Sequence, residues 1–235
     1  MRHNDIKKLI GKEDPVILEI GAHKGTDTRR FLSEFKHIRL YCFEPDPRNI
    51  QVFKININDT RCKLVEAAVS ACDGEITLHM SSGYNPGRWW RLYPLLQKAR
   101  LTHWISRNKD EWDLSSSIKE SISHAHRTPW LHFPHAVRVR AVALDSWIRE
   151  EGLAHIHFIW SDVQGAERDM VEGARDTLKK VDYLLMEYGE TNTYPQAMGR
   201  RETIMLMKLH GTSPVISHPA LPPGNLRVDS RPDSG

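Results

Sequence analysis

The stretch VILEIGAHKGTDTRRFL, residues 16 to 32, sets an acidic side chain and two glycines at the junction between an apolar run and a helical one. The run ends in Glu19-x-Gly21, turns through His23 and Gly25, and continues as a helix from Thr26. A strand that feeds a glycine turn and then a helix is a ligand-binding unit of open α/β sheets, where ligands lie beyond the carboxyl ends of the strands. The spacing indicates which ligand. A dinucleotide fingerprint is G-x-G-x-x-G, whose second glycine lets the backbone approach the pyrophosphate. Here His23 holds that place, and no Gly-Lys-Ser/Thr follows to make a P-loop. S-adenosylmethionine fits better, having no pyrophosphate but an amino acid end, a sulfonium and a ribose with two free hydroxyls. Glu44, in CFEPDP, ends the next apolar run roughly twenty residues on, where an acidic side chain accepts hydrogen bonds from ribose hydroxyls. Thr26, Pro45 and Ala68, beside these motifs and the following strand, complete the expected cofactor set with Glu19, Gly21, His23, Gly25 and Glu44.

The reacting end is expected at Asp162, which terminates HIHFIWSD just before the Gly165 turn and should face the same crevice as Gly21. Methyl transfer from a sulfonium is an in-line displacement, so the protein must position the acceptor and remove its proton. Asp162 is the candidate base and a candidate cofactor contact; capping the next helix is its structural alternative. Asp162, Glu167 and Glu187 could also converge on a divalent cation, although a glutamate in a first helical turn is favoured by the helix dipole anyway. His155 and His157 alternate on a strand, face the same way, and read as structural.

These residues need a sheet to hold them. VILEI (16–20), IRLYCF (38–43), KLVEAAVS (63–70), HIHFIW (155–160) and VDYLLMEY (181–188) read as buried strands. EITLHM (75–80) reads as a hairpin partner or edge strand, and VRVRAVAL (137–144) resumes the alternation. Helices are expected after Thr26, from Pro47, through Trp147, from Ala166 to about Leu178 and around Glu202 to Leu209, with a last strand at NLRV. Strands alternating with helical segments predict a mostly parallel sheet covered on both faces, in one domain over 1–235 with a frayed end near 230–235.

Residues 81–136 break the pattern and carry five of the seven tryptophans: Trp89, Trp90, Trp104, Trp112 and Trp130. An insertion of this length in a compact domain is a lid, a binding loop or a disordered excursion, and the tryptophans favour an ordered acceptor-binding lid. Trp89 could stack on substrate or pack the lid down in a satellite cluster. The segment also holds Ser115, Ser116 and Ser117, and His124, His126, His132 and His135, bases near neutral pH.

Composition limits the alternatives. A net charge of +3 and a pI near 8.7 describe an ordinary globular protein and argue against a nucleic acid substrate. Neither Asn-Pro-Pro-Tyr after the fourth strand nor a Pro-Cys nucleophile is present, so base methylation lacks its motifs. Cys42, Cys62 and Cys72 show no CxxC spacing and read as reduced thiols. The start MRHNDIKKLIGKEDP lacks a signal-peptide core, and no apolar run approaches the ~20 residues of a spanning helix, so a cytoplasmic location is expected. No motif sets an oligomeric state.

Taken in order, ILEIGAHKGTDTRRFL, YCFEPDPRN, LVEAAVSACDGEITLH, VRAVALDSWI and IWSDVQGAERDMVEGA, then LLMEY, resemble the segments of FkbM-type methyltransferases over roughly residues 14–80 and 137–190. The resemblance implies a Rossmann-like methyltransferase fold with a seven-stranded, mostly parallel sheet. It further implies S-adenosylmethionine around Gly21, Gly25 and Glu44, Asp162 at the mouth of the central strand, and transfer to a hydroxyl of a small molecule or glycan. Ser116 and Ser117 match a serine segment that follows the hairpin in the family, and join Trp89 and Gln164 as expected acceptor contacts. The family often has Asp at the place of Glu19, Asn at His23, Lys at Trp160 and Glu at Gln164. Two alternatives stand beside this reading: a nucleotide-dependent oxidoreductase, and a binding module that keeps the cofactor pocket without turnover.

Overall fold

The structure is a computed structural model that describes residues 3–83, 116–119, 131–187 and 215–217. Among these, the central sheet has six parallel strands in the order β3-β2-β1-β7-β8-β9. They are β1 (Val16–Ile20), β2 (Arg39–Phe43), β3 (Cys62–Val65), β7 (Ile156–Ser161), β8 (Val181–Glu187) and β9 (Val215–Ser217). The order runs outward from β1 through β2 and β3, and from β7 through β8 and β9, so the sheet reverses between β1 and β7. Such a reversal leaves a crevice at the carboxyl ends of the two strands, because the crossovers leave in opposite directions.

The five residues of β1 are all buried, the pattern of a strand covered on both faces. Val16, Leu18 and Ile20 join one cluster with Trp147 and Ile148 of α4 (Leu144–Glu151) and Met170 and Val171 of α5 (Glu167–Glu172). Ile17 faces the other cluster, built with Ile6 of α1 (His3–Ile10), Phe31 of α2 (Thr26–Glu34) and Phe53 of α3 (Pro47–Asn56). Both faces of the sheet are therefore covered by helices. Among the described residues, no helix is long and apolar enough to cross a membrane.

The expected strand KLVEAAVS is two elements. The Ala67 N–H bonds back to the Val65 carbonyl at 2.9 Å, and this tight turn ends β3 and starts β4 (Ala68–Val69). A second sheet of three strands follows, in the order β4-β6-β5, where β4 pairs parallel to β6 (Leu131–Val142) and β5 (Gly74–Gly83) pairs antiparallel to it. Among the described residues the strands form one sheet of six and one of three, and the expected NLRV strand lies outside them. The hairpin arms also run further than their apolar cores, pairing up to Gly83 and Leu131, with a register shift between Met80 and Ser82. The expected helix from Ala166 to Leu178 is shorter. It closes at Gly173, where a Cβ would lie 2.0 Å from the Ser70 carbonyl oxygen. The chain then turns into a 3₁₀ segment, Thr177–Lys180, whose Thr177 N–H is taken by the Asp145 carboxylate at 2.7 Å. The strand at Val215–Ser217 was not expected. The helix at 202–209, the strand at NLRV and the tail from 230 lie outside the described residues, as does the insertion apart from 81–83, 116–119 and 131–136.

Glu19 occupies an unusual place in this scaffold. It is 2% exposed, on the α2 side of β1, where its Oε2 accepts hydrogen bonds from Thr28 Oγ1 at 2.6 Å and Cys42 Sγ at 3.3 Å. Burial dominates over these bonds and pushes its pKa up to about 8. Because the folded-state value lies above the ordinary one, stability from protonated Glu19 is fully present below about pH 4.5 and is lost as pH rises to about 8. Glu19→Gln should remove that loss: its Tm at pH 8 should exceed the wild-type value, by an amount corresponding to a few kcal/mol, and the two should converge near pH 4. Thermal unfolding across this range checks it, and parallel Tm curves for the two proteins would refute it.

Candidate active site

The turn after β1 is held by the end of β2. The Phe43 carbonyl accepts hydrogen bonds from the Gly21 and Ala22 N–H groups at 2.9 and 3.0 Å, and the Gly25 N–H closes onto the Ala22 carbonyl at 2.9 Å. Gly21 has φ 87° and lies against the next strand: a Cβ there would sit 2.0 Å from the Asp162 carbonyl oxygen. That contact, with the Asp162 N–H to Ile20 carbonyl bond at 2.8 Å, draws the ends of β1 and β7 together. Gly25, φ 84°, precedes α2 and packs a would-be Cβ against Ile57 Cγ1 at 2.7 Å.

Glu44 links the turn to the start of α3. Its Oε2 accepts the His23 N–H at 2.7 Å and its Oε1 the Asp46 N–H at 2.8 Å. His23 has a positive φ of 50°, so this bond lies where the backbone takes a conformation that side-chain-bearing residues seldom adopt. Glu44 is 5% exposed, and burial raises its pKa to about 7 against the lowering effect of the two backbone donors. Each carboxylate oxygen retains acceptor capacity for a ligand hydroxyl, since an ionised carboxylate offers about four lone-pair sites.

Across the crevice, Asp162 follows β7. Burial raises its pKa above the ordinary aspartate value, while the Gln164 Nε2 donating to its Oδ1 at 2.6 Å pulls the other way. Gln164 itself has φ 47°, and its carbonyl accepts the Ser117 Oγ hydroxyl at 2.6 Å. Ser117 also pairs with His79 of β5 through both backbone groups, at 2.8 and 3.1 Å. Ser116 Oγ donates to Asp46 Oδ2 at 2.9 Å and accepts from Arg48 at 3.2 Å, while Arg48 forms an ion pair with Asp46 at 2.7 Å. Segment 116–119 is thereby tied to the hairpin, to α3 and to the turn after β7.

The result is an open cleft that encloses about 100 Å³ among the described residues. Of the residues expected from sequence, Gly21, His23, Glu44, Pro45, Ala68, Ser116, Ser117, Asp162 and Gln164 line it together. Glu19 lies on the far side of β1, Gly25 packs against α3 and its following residue Ile57, and Thr26 is exposed at the start of α2, so these three do not line it. Trp89 lies outside the described residues, as does the side chain of Glu187. Glu167 is buried, its Oε1 accepts the Gly165 N–H at 2.9 Å, and it is not among the lining residues. Trp160 packs edge-on against Phe31, 6.0 Å between ring centroids, on the helix side of the sheet.

Sequence reasoning missed Asn49, which is 2% exposed and lines the cleft from the first turn of α3, and Asp46 with Arg48, which anchor Ser116. The signal for Asn49 was its helical spacing with Ile50 and Phe53, which puts it on the buried face.

A His155, His157 and Asp182 cluster at the opposite, amino ends of β7 and β8 has ligand atoms within 4.8 Å of one another. His157 Nδ1 accepts the Val16 N–H at 2.9 Å, which in a neutral ring puts the proton on Nε2, and Lys12 Nζ stands 3.0 Å from that nitrogen. Burial and then the Lys12 charge hold the His157 pKa below the ordinary value. A protonated nitrogen beside a cation is a poor metal ligand, and His155 is instead paired with Asp182 at 2.9 Å.

Comparison with known proteins decides the family. The pattern of the methyltransferase FkbM domain matches residues 19–213. The chain belongs to the FkbM methyltransferase family. It is also 35% identical over 206 residues to the 2-O-methyltransferase NoeI of Sinorhizobium fredii (strain NBRC 101917 / NGR234), covering 87% of this chain and 76% of that protein. The FkbM match spans the glycine turn, Glu44 and Asp162, so the cleft lies within the family domain. Membership makes the protein a methyltransferase, implies S-adenosylmethionine as the methyl source, and displaces the oxidoreductase alternative.

The two turn glycines should differ in cost when changed. Gly21→Ala meets a backbone carbonyl, whereas Gly25→Ala meets the half-buried side chain of Ile57 at Cγ1, which can shift more readily than backbone, although both carry a positive φ. Gly21→Ala should lower Tm by about 5 to 10 °C and Gly25→Ala by less than half as much. Equal shifts in parallel thermal melts would contradict the close approach of β1 and β7.

Proposed function

We propose that this protein transfers the methyl group of S-adenosylmethionine to a hydroxyl of a sugar, glycan or similar natural product, with Asp162 as the general base. The observation that carries the reading is the meeting of the Gly21 turn, the Glu44 carboxylate and Asp162 in one cleft at the reversal of the sheet. Glu44 is suited to the ribose hydroxyls, as a buried carboxylate with acceptor capacity beyond its two backbone donors. Gly21, His23, Pro45 and Ala68 would form the surrounding wall. S-adenosylmethionine supplies, when bound, an electrophilic methyl on a sulfonium.

The remaining work belongs to the chain. Asp162 would take the acceptor's hydroxyl proton as the methyl passes from sulfur to the acceptor oxygen, the C–S bond breaking as the C–O bond forms, and its raised pKa brings it nearer the operating pH than an ordinary aspartate. Gln164 holds the Asp162 carboxylate in place by its hydrogen bond at 2.6 Å. Ser116 and Ser117 sit where they can fix the acceptor side of the cleft, and the 81–136 segment, with Trp89, is the region from which an acceptor wall would come. A 2-O-methyltransferase among the relatives supports a hydroxyl acceptor. The absence of base-methylation motifs supports a small-molecule or glycan acceptor over a nucleic acid, and a cytoplasmic site of action accords with such chemistry.

Asp162→Asn keeps the shape of the side chain and removes its basicity. Transfer of isotopically labelled methyl from S-adenosylmethionine to a panel of hydroxylated sugars should fall by at least 10²-fold in this variant, with cofactor affinity within a few-fold of wild type. Wild-type turnover by Asp162→Asn would exclude Asp162 as the base.

A further inference from the structure

We propose that Asn49 positions the cofactor's nucleobase: its side-chain oxygen accepts a hydrogen bond from the exocyclic amino group of an adenine and so selects adenine over a 6-oxo purine. The proposal rests on the cofactor reading above and deepens it. Asn49 is 2% exposed, and its Oδ1 is buried with no hydrogen-bond partner. Among the described residues that line the cleft, no other buried side-chain oxygen or nitrogen is left in this state. A buried acceptor without a donor is costly, so an orphan on a residue that lines a cleft marks where a ligand donor belongs.

The neighbouring wall says which donor. Phe43, Ala67, Ala68, Val69 and Leu78 line the same cleft, all apolar and most of them small, which suits a flat heteroaromatic ring. Glu44, at the end of β2, is the candidate for the ribose, and Asn49 stands five positions further on, in the first turn of α3. A base attached to a ribose held at Glu44 must lie in the adjoining apolar part of the cleft. There its amino group leaves water, and the loss has to be met by an acceptor. Asn49 Oδ1 and the amino group of adenine are complementary, each unsatisfied without the other.

The test changes the ligand first and the protein second, so that it does not depend on one variant folding. Isothermal titration of wild type would compare S-adenosylhomocysteine with S-inosylhomocysteine, in which a carbonyl replaces the amino group. Wild type should bind the inosine form about tenfold to a hundredfold more weakly, because two acceptors then face each other. Asn49→Ala, verified as folded by its thermal melt, should bind S-adenosylhomocysteine about tenfold more weakly and lose most of the preference between the two ligands. A residue that only supports the fold would weaken both ligands equally and leave the preference intact. That outcome, or equal binding of both ligands by wild type, would overturn the role of Asn49 alone. Binding of neither ligand by wild type would overturn the cofactor reading and this proposal with it.

Discussion

The close approach of β1 and β7 at their carboxyl ends sets where every other part of the site can stand. With no Cβ at Gly21, the Asp162 carbonyl packs directly onto the turn, and the two strands pair through to Ile20 and Ser161. The reversal of the sheet at this point opens the crevice, and the tight contact closes its floor. From there the Phe43 carbonyl and the Glu44 carboxylate hold the turn from the β2 side, so the residue offered to a ligand is also a structural clamp. The cleft is thus preorganised by backbone bonds rather than by long side chains, which is the economical way to hold acceptors in place for a ligand.

The acceptor side is built on the same logic. Ser117 joins β5 to the Gln164 turn, and Ser116 joins the Asp46 and Arg48 ion pair to that same segment. Residues far apart in sequence are thereby tied together around Asp162. Gln164 donates to Asp162 and leaves it as the sole carboxylate of the pair, without the like-charge repulsion that a second carboxylate would add. Trp160 is half-buried, packs edge-on against Phe31 and is not among the residues that line the cleft.

Much of this was legible in the sequence because parallel strands buried on both faces leave continuous apolar runs. VILEI, IRLYCF and HIHFIW each map onto a strand of the central sheet, and the glycine spacing with Glu44 located the crevice. The same property hid the break in KLVEAAVS, since a bend at Ala67 does not change an apolar run. The hairpin arms exceeded their apolar cores because residues 132–136 are mostly exposed, so that part of the strand pairs without leaving an apolar run in the sequence. The helix after Gly165 ends at Glu172, and the close packing of the Ser70 carbonyl on Gly173 is a contact found only in three dimensions. Glu19 was read as a ligand contact from its place in the motif, but strand alternation turns it away from Ile20 and into the α2 interface. Asn49 carried no motif at all, and became visible through its burial beside a cleft.

Every role assigned in the cleft depends on the identity of the ligand that the Gly21 turn and Glu44 hold. Isothermal titration of S-adenosylmethionine and NAD against wild type and Glu44→Ala tests it most directly. The account predicts that S-adenosylmethionine binds and NAD does not, and that Glu44→Ala weakens the first by at least tenfold while the protein stays folded. Binding of NAD alone, or S-adenosylmethionine binding unchanged in Glu44→Ala, would contradict it.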